Sequence, residues 1–175
     1  MKKITAVILM IMPLIISGCG YALKSSLPEY IKRIAIPTFI NATAQHGIEA
    51  DLTDVVKKEF LVDGRLEIVD RDKADAILEG TIRKYLVENL SYDVNNVVLQ
   101  RRIKMVIDIR VIDARTNAVL QEQKEVGGIE GGSTSYFVSD VTGMTIEPEY
   151  QARDRIYHNI AGDIVNRVIY GWENY

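Results

Sequence analysis

Few side chains of this sequence have the types and spacing that catalysis or metal binding requires. His46 and His158 are the only histidines, so a Cys/His zinc site would need the single cysteine, Cys19. The acidic residues between positions 70 and 75 lie at the exit of a predicted strand, where capping and solvation explain them. The glycine-rich stretch 127–133 lacks the Gly-Lys-Ser/Thr ending and the following helix of a phosphate-binding loop. The sequence therefore favours a protein that is not an enzyme and has no metal site.

Cys19 is the residue whose chemistry the sequence indicates most directly. A positive start, Met1-Lys2-Lys3, precedes an apolar run at 4–16 that is too short to span a bilayer, which needs about 20 residues. The small residues Ser17 and Gly18 then stand directly before the cysteine, a pattern typical of the bacterial lipobox. We therefore expect residues 1–18 to be a lipoprotein signal peptide. Cys19 would carry diacylglycerol and an N-acyl chain, would be the first mature residue and would have no role in a metal site.

Two or more acyl chains give stable membrane anchoring without a transmembrane helix. Gly20 follows the cysteine, whereas lipoproteins kept at the inner membrane often have Asp there, so the sequence favours the outer membrane, facing the periplasm. The chain has 21 Lys and Arg against 24 Asp and Glu, for a net charge of −3. It therefore has no global attraction to nucleic acid, and any polyanion must bind at a local basic patch.

Hydrophobic periodicity divides the rest of the chain into alternating elements. We expect a short tether at 19–30 and one domain at 31–172. Gly64 suits the end of the first helix, and Pro148 suits the first turn of the last one. The predicted elements are a strand at 32–39, a helix at 47–63, a short strand at 66–69, long strands at 77–90, 98–112 and 118–126, a loop at 127–147 and a helix at 148–170.

The order β-α-β-β-β-β-α predicts an α+β fold, a two-layer sandwich with both helices on one face of a mainly antiparallel sheet. The other sheet face would be polar, as is common in antiparallel sheets and as a water-filled lumen would require. The residues expected on that face are Thr81, Arg83, Tyr85, Lys104, Asp108, Arg110, Gln121, Gln123 and Glu125.

Several blocks of sequence between Cys19 and the long hairpin follow one another in a distinctive order. They are Cys19-Gly20-Tyr21-Ala22-Leu23, Ile34-Ala35-Ile36-Pro37-Thr38-Phe39-Ile40-Asn41-Ala42-Thr43, Gly47-Ile48-Glu49, Leu52-Thr53, Glu59-Phe60, Val69-Asp70 and Ala74-Asp75-Ala76-Ile77-Leu78-Glu79-Gly80-Thr81-Ile82. Together they resemble the LPS-assembly lipoprotein family, LptE. The resemblance implies a noncatalytic plug inside the outer-membrane β-barrel LptD that assists barrel assembly and binds lipopolysaccharide.

The resemblance also directs attention to basic residues near the sheet, because phosphorylated lipid A requires cationic side chains. The alternative is that these cations are solvated strand charges paired with Glu79, Glu88 or Asp108. The candidate lipopolysaccharide contacts are Arg83, Lys84, Arg101, Arg102 and Lys104.

The predicted loop at 127–147 contains apolar residues that either fold back over the domain or contact the barrel. Tyr136, Phe137 and Val138 are the candidate partner contacts, with Met144 and Ile146 further along.

A second group of periplasmic lipoproteins shares part of this pattern. Peptidoglycan-synthase activators and curli-secretion-type lipoproteins also have an Ile-Ala-Ile/Val-x-x-Phe strand, a helix and a strand end like Val69-Asp70-Arg71. Those proteins usually continue with alternating helices and strands. Three consecutive long strands in this chain favour the first interpretation.

Overall fold

The computed structural model describes residues 28–127, 132–141 and 143–171. The expected signal peptide, the lipidation site Cys19 and most of the tether lie outside the described residues, and these predictions stay predictions.

The described residues form an α+β fold in which two helices pack on one mixed sheet, as predicted. A single turn of 3-10 helix, Arg71–Lys73, precedes the first long strand. The strands and helices are β1 (Arg33–Ala35), β2 (Ile40–Asn41), α1 (Ile48–Asp63), β3 (Glu67–Ile68), β4 (Ala76–Tyr92), β5 (Val98–Asp113), β6 (Val119–Val126), β7 (Ser133–Phe137) and α2 (Glu149–Tyr170).

The strand order is β3-β1-β4-β5-β6, with β2 paired to β4 and β7 paired to β5. The long strands β4, β5 and β6 form the predicted antiparallel meander. The short strands are different: β1 pairs parallel with both β3 and β4, and β2 is also parallel to β4. Parallel β1 and β3 need a crossover connection, and α1 supplies it.

Both helices bury the apolar stripes that their sequences predict. Ile48, Leu52 and Phe60 of α1 are fully buried, and Ile156 and Ile160 of α2 are too. At the end of α1, Gly64 adopts φ 73° and its N–H donates to the Phe60 carbonyl, which confirms the predicted glycine C-cap. The core lies between these stripes and the inward side chains of β4 and β5.

The prediction of one continuous strand at 32–39 was wrong. The chain forms β1 and β2 as separate short strands, and Pro37 lies between them, where its missing N–H costs no sheet hydrogen bond. Phe39, in the same connection, packs directly over Gly80 of β4. The ring occupies the space that a side chain at position 80 would need.

The prediction of a loop throughout 127–147 was also wrong, because β7 lies within it. This strand pairs antiparallel with β5 from Lys104↔Ser133 to Gln100↔Phe137. Its sequence, Ser-Thr-Ser-Tyr-Phe, is polar where strands are usually apolar, so composition indicated a loop. The free edge of β5 beyond β6 provides the hydrogen-bonding partners that stabilise it.

Two irregularities in the strands reverse the alternation of side chains. In β4, the register shifts between Ile82 and Lys84, so Tyr85 pairs with buried Met105 on the helix side. In β6, Glu125 has φ 56° and is the extra residue of a second bulge. Gln123 and Val126, three positions apart, therefore both point to the helix side, opposite Ile109 and Ile107. Three residues expected on the polar sheet face therefore lie on the helix side: Tyr85, Gln121 and Gln123.

Candidate functional site: the open face of the sheet

The sheet face that points away from the helices, called the open face, gathers most of the predicted basic residues. Lys84 pairs with Val106, and Lys104 alternates with buried Ile103 and Met105, so both lysines point outward. Arg102 lies two residues before Lys104 and shares its face, because side chains alternate along a strand. Arg83, the extra residue of the β4 bulge, also reaches this side. Four of the five candidate contacts therefore lie together, on two neighbouring strands.

Half of these cations already have acidic partners. Arg83 Nε lies 3.4 Å from an oxygen of Asp108, and Lys104 Nζ lies 2.8 Å from an oxygen of Glu88. The Lys104 ammonium holds the pKa of the Glu88 carboxyl below its usual range. The alternative of paired strand charges therefore describes these two cations.

Lys84 and Arg102 differ from their neighbours. Within the described residues, neither side chain makes an ion pair or a side-chain hydrogen bond. Both charges act on the nearby Glu88 carboxylate, less strongly than Lys104 does, and because no hydrogen bond holds either side chain, both can turn to an anion from outside.

A recess of about 430 Å³ lies in the open face beside Lys84. Arg83, Lys84 and Lys124 contribute cations to its walls, against the carboxylates of Asp108 and Glu125. Lys124 was not among the predicted contacts, because counting back by twos from the apolar Val126 puts it inside the domain. The bulge at Glu125 turns Lys124 outward. No glycine or other turn-forming residue at position 125 indicates that bulge in the sequence.

Arg101 does not belong to the open face. It pairs with Tyr136 of β7 and Asn89 of β4, on the helix side of the sheet. Its Nε atom is buried and has no hydrogen-bond partner among the described residues. A guanidinium in this position stands next to the Tyr136 hydroxyl instead of facing a ligand on the open face. Arg101 and Arg102 therefore face opposite sides of the sheet, because adjacent strand residues point to opposite faces, and their contacts with lipopolysaccharide stay predictions.

Glu149, at the first turn of α2, connects the helix layer to this part of the sheet. The Tyr85 hydroxyl donates to its Oε1 atom at 2.8 Å, and the Tyr136 hydroxyl donates to its Oε2 atom at 3.4 Å. Burial, together with the Glu149 carboxylate, raises the pKa of Tyr85, so its hydroxyl stays a donor. These contacts fix the orientation of β4 and β7 relative to α2.

The three candidate partner contacts have different positions. Tyr136 is 2% exposed, so its side chain belongs to the core and is not accessible to a partner. Val138 packs partly against the core, and Phe137 is half-buried. Met144 and Ile146 are about half exposed and remain accessible. This segment thus packs against the domain at residues 136–138 and is accessible at Met144 and Ile146.

Comparison with known proteins gives a family. The model of the family described as "LptE: Lipopolysaccharide-assembly" matches residues 31–168, which is most of the chain. The chain belongs to the LptE family. Membership places it among lipopolysaccharide-assembly lipoproteins and agrees with the element order and the sequence blocks described above. No curated protein sequence matches the chain. Within the described residues, no helix is long and apolar enough to cross a membrane.

Solved structures of low sequence identity resemble this chain to different degrees. A crystal structure of a Xanthomonas campestris protein matches with a TM-score of 0.54 at 11% identity, covering 84% of this chain and 90% of that one. A hypothetical protein from Chlamydia trachomatis has a TM-score of 0.49 at 12% identity, covering 79% and 98%. A minor lipoprotein from Acinetobacter baumannii has a TM-score of 0.46 at 10% identity, covering 79% and 92%. At such identities, the Xanthomonas match shows a shared fold alone.

Proposed function

We propose that this LptE-family protein is a noncatalytic outer-membrane lipoprotein that plugs an LptD-type β-barrel and assists its assembly. In this role it binds lipopolysaccharide during transport to the outer leaflet. The family match over residues 31–168 is the observation that carries the proposal. The acylated Cys19 would hold the domain at the membrane beside the barrel.

The open face suits this role in two ways. A plug inside a water-filled lumen needs a polar surface, and the side chains of Glu79, Arg83, Asp108 and Arg110 provide one along β4 and β5. Lipid A carries phosphates, which bind cations through charge-assisted hydrogen bonds. Lys84 and Arg102 are free to make such bonds, whereas Arg83 and Lys104 would first exchange their acidic partners.

Recovery of the partner is the first test. The tagged chain is purified from detergent-solubilised outer membranes, and the proteins that accompany it are identified. A large β-barrel in equal amount supports the plug. A peptidoglycan synthase recovered without any barrel would instead favour the alternative, a synthase-activating lipoprotein.

A charge-reversal pair tests the ligand site. We expect Lys84→Glu with Arg102→Glu to weaken lipopolysaccharide binding by about tenfold or more, since each lost charged hydrogen bond costs about 1.5–3 kcal/mol. Neither change breaks an ion pair among the described residues, so the domain should stay folded. Lys57→Glu with Lys58→Glu is the matched control, because it makes the same charge change on α1. Equal binding by the two double variants would remove the open face from the site.

A further inference from the structure

The chain enters the described domain, at Pro28, on one end of the sheet, which we call the tether end. The N–H of Glu67, just after α1, donates to the Lys32 carbonyl at 2.9 Å, so the end of α1 lies beside the start of β1. The Tyr30 hydroxyl donates to an Asp113 carboxylate oxygen at 2.8 Å, so the end of β5 lies there too. The turn of the β4–β5 hairpin is at the opposite end of the sheet.

Large apolar side chains are exposed at the tether end in both layers of the fold. Leu61 and Val62, in the last turn of α1, are 66% and 82% exposed. Val119, at the start of β6, pairs with Ile112 near the end of β5 and is half exposed. Exposed apolar side chains that occur together indicate an interaction surface.

Two tyrosines at the tether end are stacked against arginines. Arg65 Cζ lies 4.5 Å from the centre of the Tyr170 ring, which places the end of α2 beside the end of α1. Arg115 Cζ lies 4.2 Å from the centre of the Tyr30 ring. Tyrosine is enriched where membranes meet water, because its ring is apolar and its hydroxyl is polar. Both tyrosines are partly exposed, so they suit such a boundary.

These arginines do not make the tether end a cationic surface. Arg65 pairs with Asp63 at 3.2 Å, and Arg115 pairs with Asp113 at 3.6 Å. The acidic partners offset the positive charges. Apolar and aromatic side chains therefore determine which partner fits the tether end, and that partner need not be anionic.

The length of the tether indicates which end of the domain can meet the membrane. Cys19 stands nine residues before Pro28, so its acyl chains are at most about 30 Å from the tether end. β4 has 17 residues and a length of about 50 Å. Val94, at the hairpin turn, is also fully exposed. With this turn on the membrane, however, the tether end would be farther from the lipid than the tether can reach.

We infer that the tether end contacts the phospholipid leaflet that holds the acyl chains of Cys19. Leu61 and Val62 enter the interface, and the two tyrosines lie at the level of the headgroups. A short tether keeps the effective concentration of its attached surface in about the millimolar range, so a weak contact is sufficient. This inference rests on the acylation of Cys19 in the proposed function. It adds an orientation, in which the β4–β5 hairpin points away from the lipid before the domain enters a barrel.

The first test measures how deeply single positions are immersed. The mature lipoprotein, with its acylation verified by intact mass, is reconstituted without a barrel in nanodiscs of phosphatidylcholine. Because the Cys19 sulfur is acylated, Val62→Cys or Val94→Cys supplies the single thiol for a nitroxide label. Electron paramagnetic resonance then compares the accessibility of the label to oxygen and to a water-soluble nickel chelate. We expect the label at position 62 to lie in the lipid and the label at position 94, an equally exposed valine of the hairpin, to lie in water.

The second test changes one part of the tether end and reads another part. The label is placed at Val119→Cys, in the sheet layer. We expect Leu61→Asp with Val62→Asp to shift this label toward water by about tenfold or more in the contact equilibrium, since the apolar burial of two side chains is lost. Val94→Asp with Val97→Asp, at exposed positions of the hairpin turn, is the matched control and should leave the label immersed.

The outcomes separate this inference from the proposed function. A label in water at position 62 or position 119 of the acylated protein overturns the contact and leaves the lipid anchor intact. Deeper immersion at position 94 than at position 62, or equal effects of the two double variants, overturns it as well. If intact mass shows no acyl chains on Cys19, the anchoring part of the proposed function fails together with this inference.

Discussion

The packing of Phe39 over Gly80 gives the sharpest quantitative prediction of the structure. A Cβ atom added at Gly80 would lie 2.6 Å from the Cδ2 and Cε2 atoms of the Phe39 ring, which is itself 3% exposed. Such a distance requires the ring to move within a close-packed core. Overpacking of this kind costs about 1–3 kcal/mol, so we expect Gly80→Ala to lower the free energy of unfolding by that amount.

The second half of the prediction uses the double variant. Phe39→Ala alone should cost about 3–5 kcal/mol, because it removes a buried ring and leaves a cavity. When both changes are combined, the new methyl group enters the space that the ring has left. The double variant should therefore cost about as much as Phe39→Ala alone, and the two changes should couple by about 1–3 kcal/mol.

Urea unfolding followed by circular dichroism measures all these free energies. Gly162→Ala is the matched control: it lies within α2, and a Cβ there would meet no atom within 4 Å. Because glycine in a helix interior costs about 0.5–1 kcal/mol relative to alanine, this variant should be more stable than the natural chain. Strictly additive costs for Gly80→Ala and Phe39→Ala would refute the packing argument.

Two further predictions concern the hairpin and its base. The Tyr30 hydroxyl and loop N–H groups lower the pKa of Asp113 to about 2, so the stability it contributes is present above its ordinary pKa of 3.8 and is lost as the pH falls toward 2. Asp113→Asn should make the urea midpoint of unfolding fall less steeply as the pH decreases from 3.8 toward 2. If the midpoint falls equally steeply in the variant, Asp113 does not contribute this stability. Deleting Arg83 removes the bulge residue and keeps Tyr85 facing inward, so it should cost under about 1 kcal/mol. Deleting Leu86 instead turns Glu88 inward or shifts the register of β4 against β5, and it should cost about 3 kcal/mol or more. If the two deletions cost the same, the bulge does not lie at Arg83.

The sequence predicted those parts of the fold in which a regular period continues without interruption. The stripe from Ile48 to Phe60 and the stripe from Ile156 to Val168 both follow the helical period, and both are buried. The same holds for Ile103, Met105 and Ile107 in the regular part of β5. In these segments local periodicity and burial agree, so the pattern alone is sufficient.

The candidate site was predicted less completely, because it depends on irregularities that periodicity does not reveal. Tyr85, Gln121 and Gln123 were assigned to the wrong face, since each follows or precedes a bulge that shifts the alternation by one residue. β7 was missed because its polar sequence gains its stability from pairing with β5, which is a tertiary effect. The basic character of the region was visible in the sequence, whereas the face of each cation was not.

The two neighbouring residues Arg101 and Arg102 show why the face of each cation matters for function. Arg101 faces the helix layer, where Tyr85 of β4 and Tyr136 of β7 both donate to Glu149 and hold these strands against α2. Arg102 faces outward, opposite Glu88, and its side chain makes no ion pair or hydrogen bond among the described residues. Because the inner side of the β4–β5 hairpin is held by those hydrogen bonds, the backbone that carries the outer cations has a position fixed relative to the domain before any ligand arrives. Binding there would require ordering of the side chains but little movement of the backbone, which lowers the cost of binding a phosphorylated lipid.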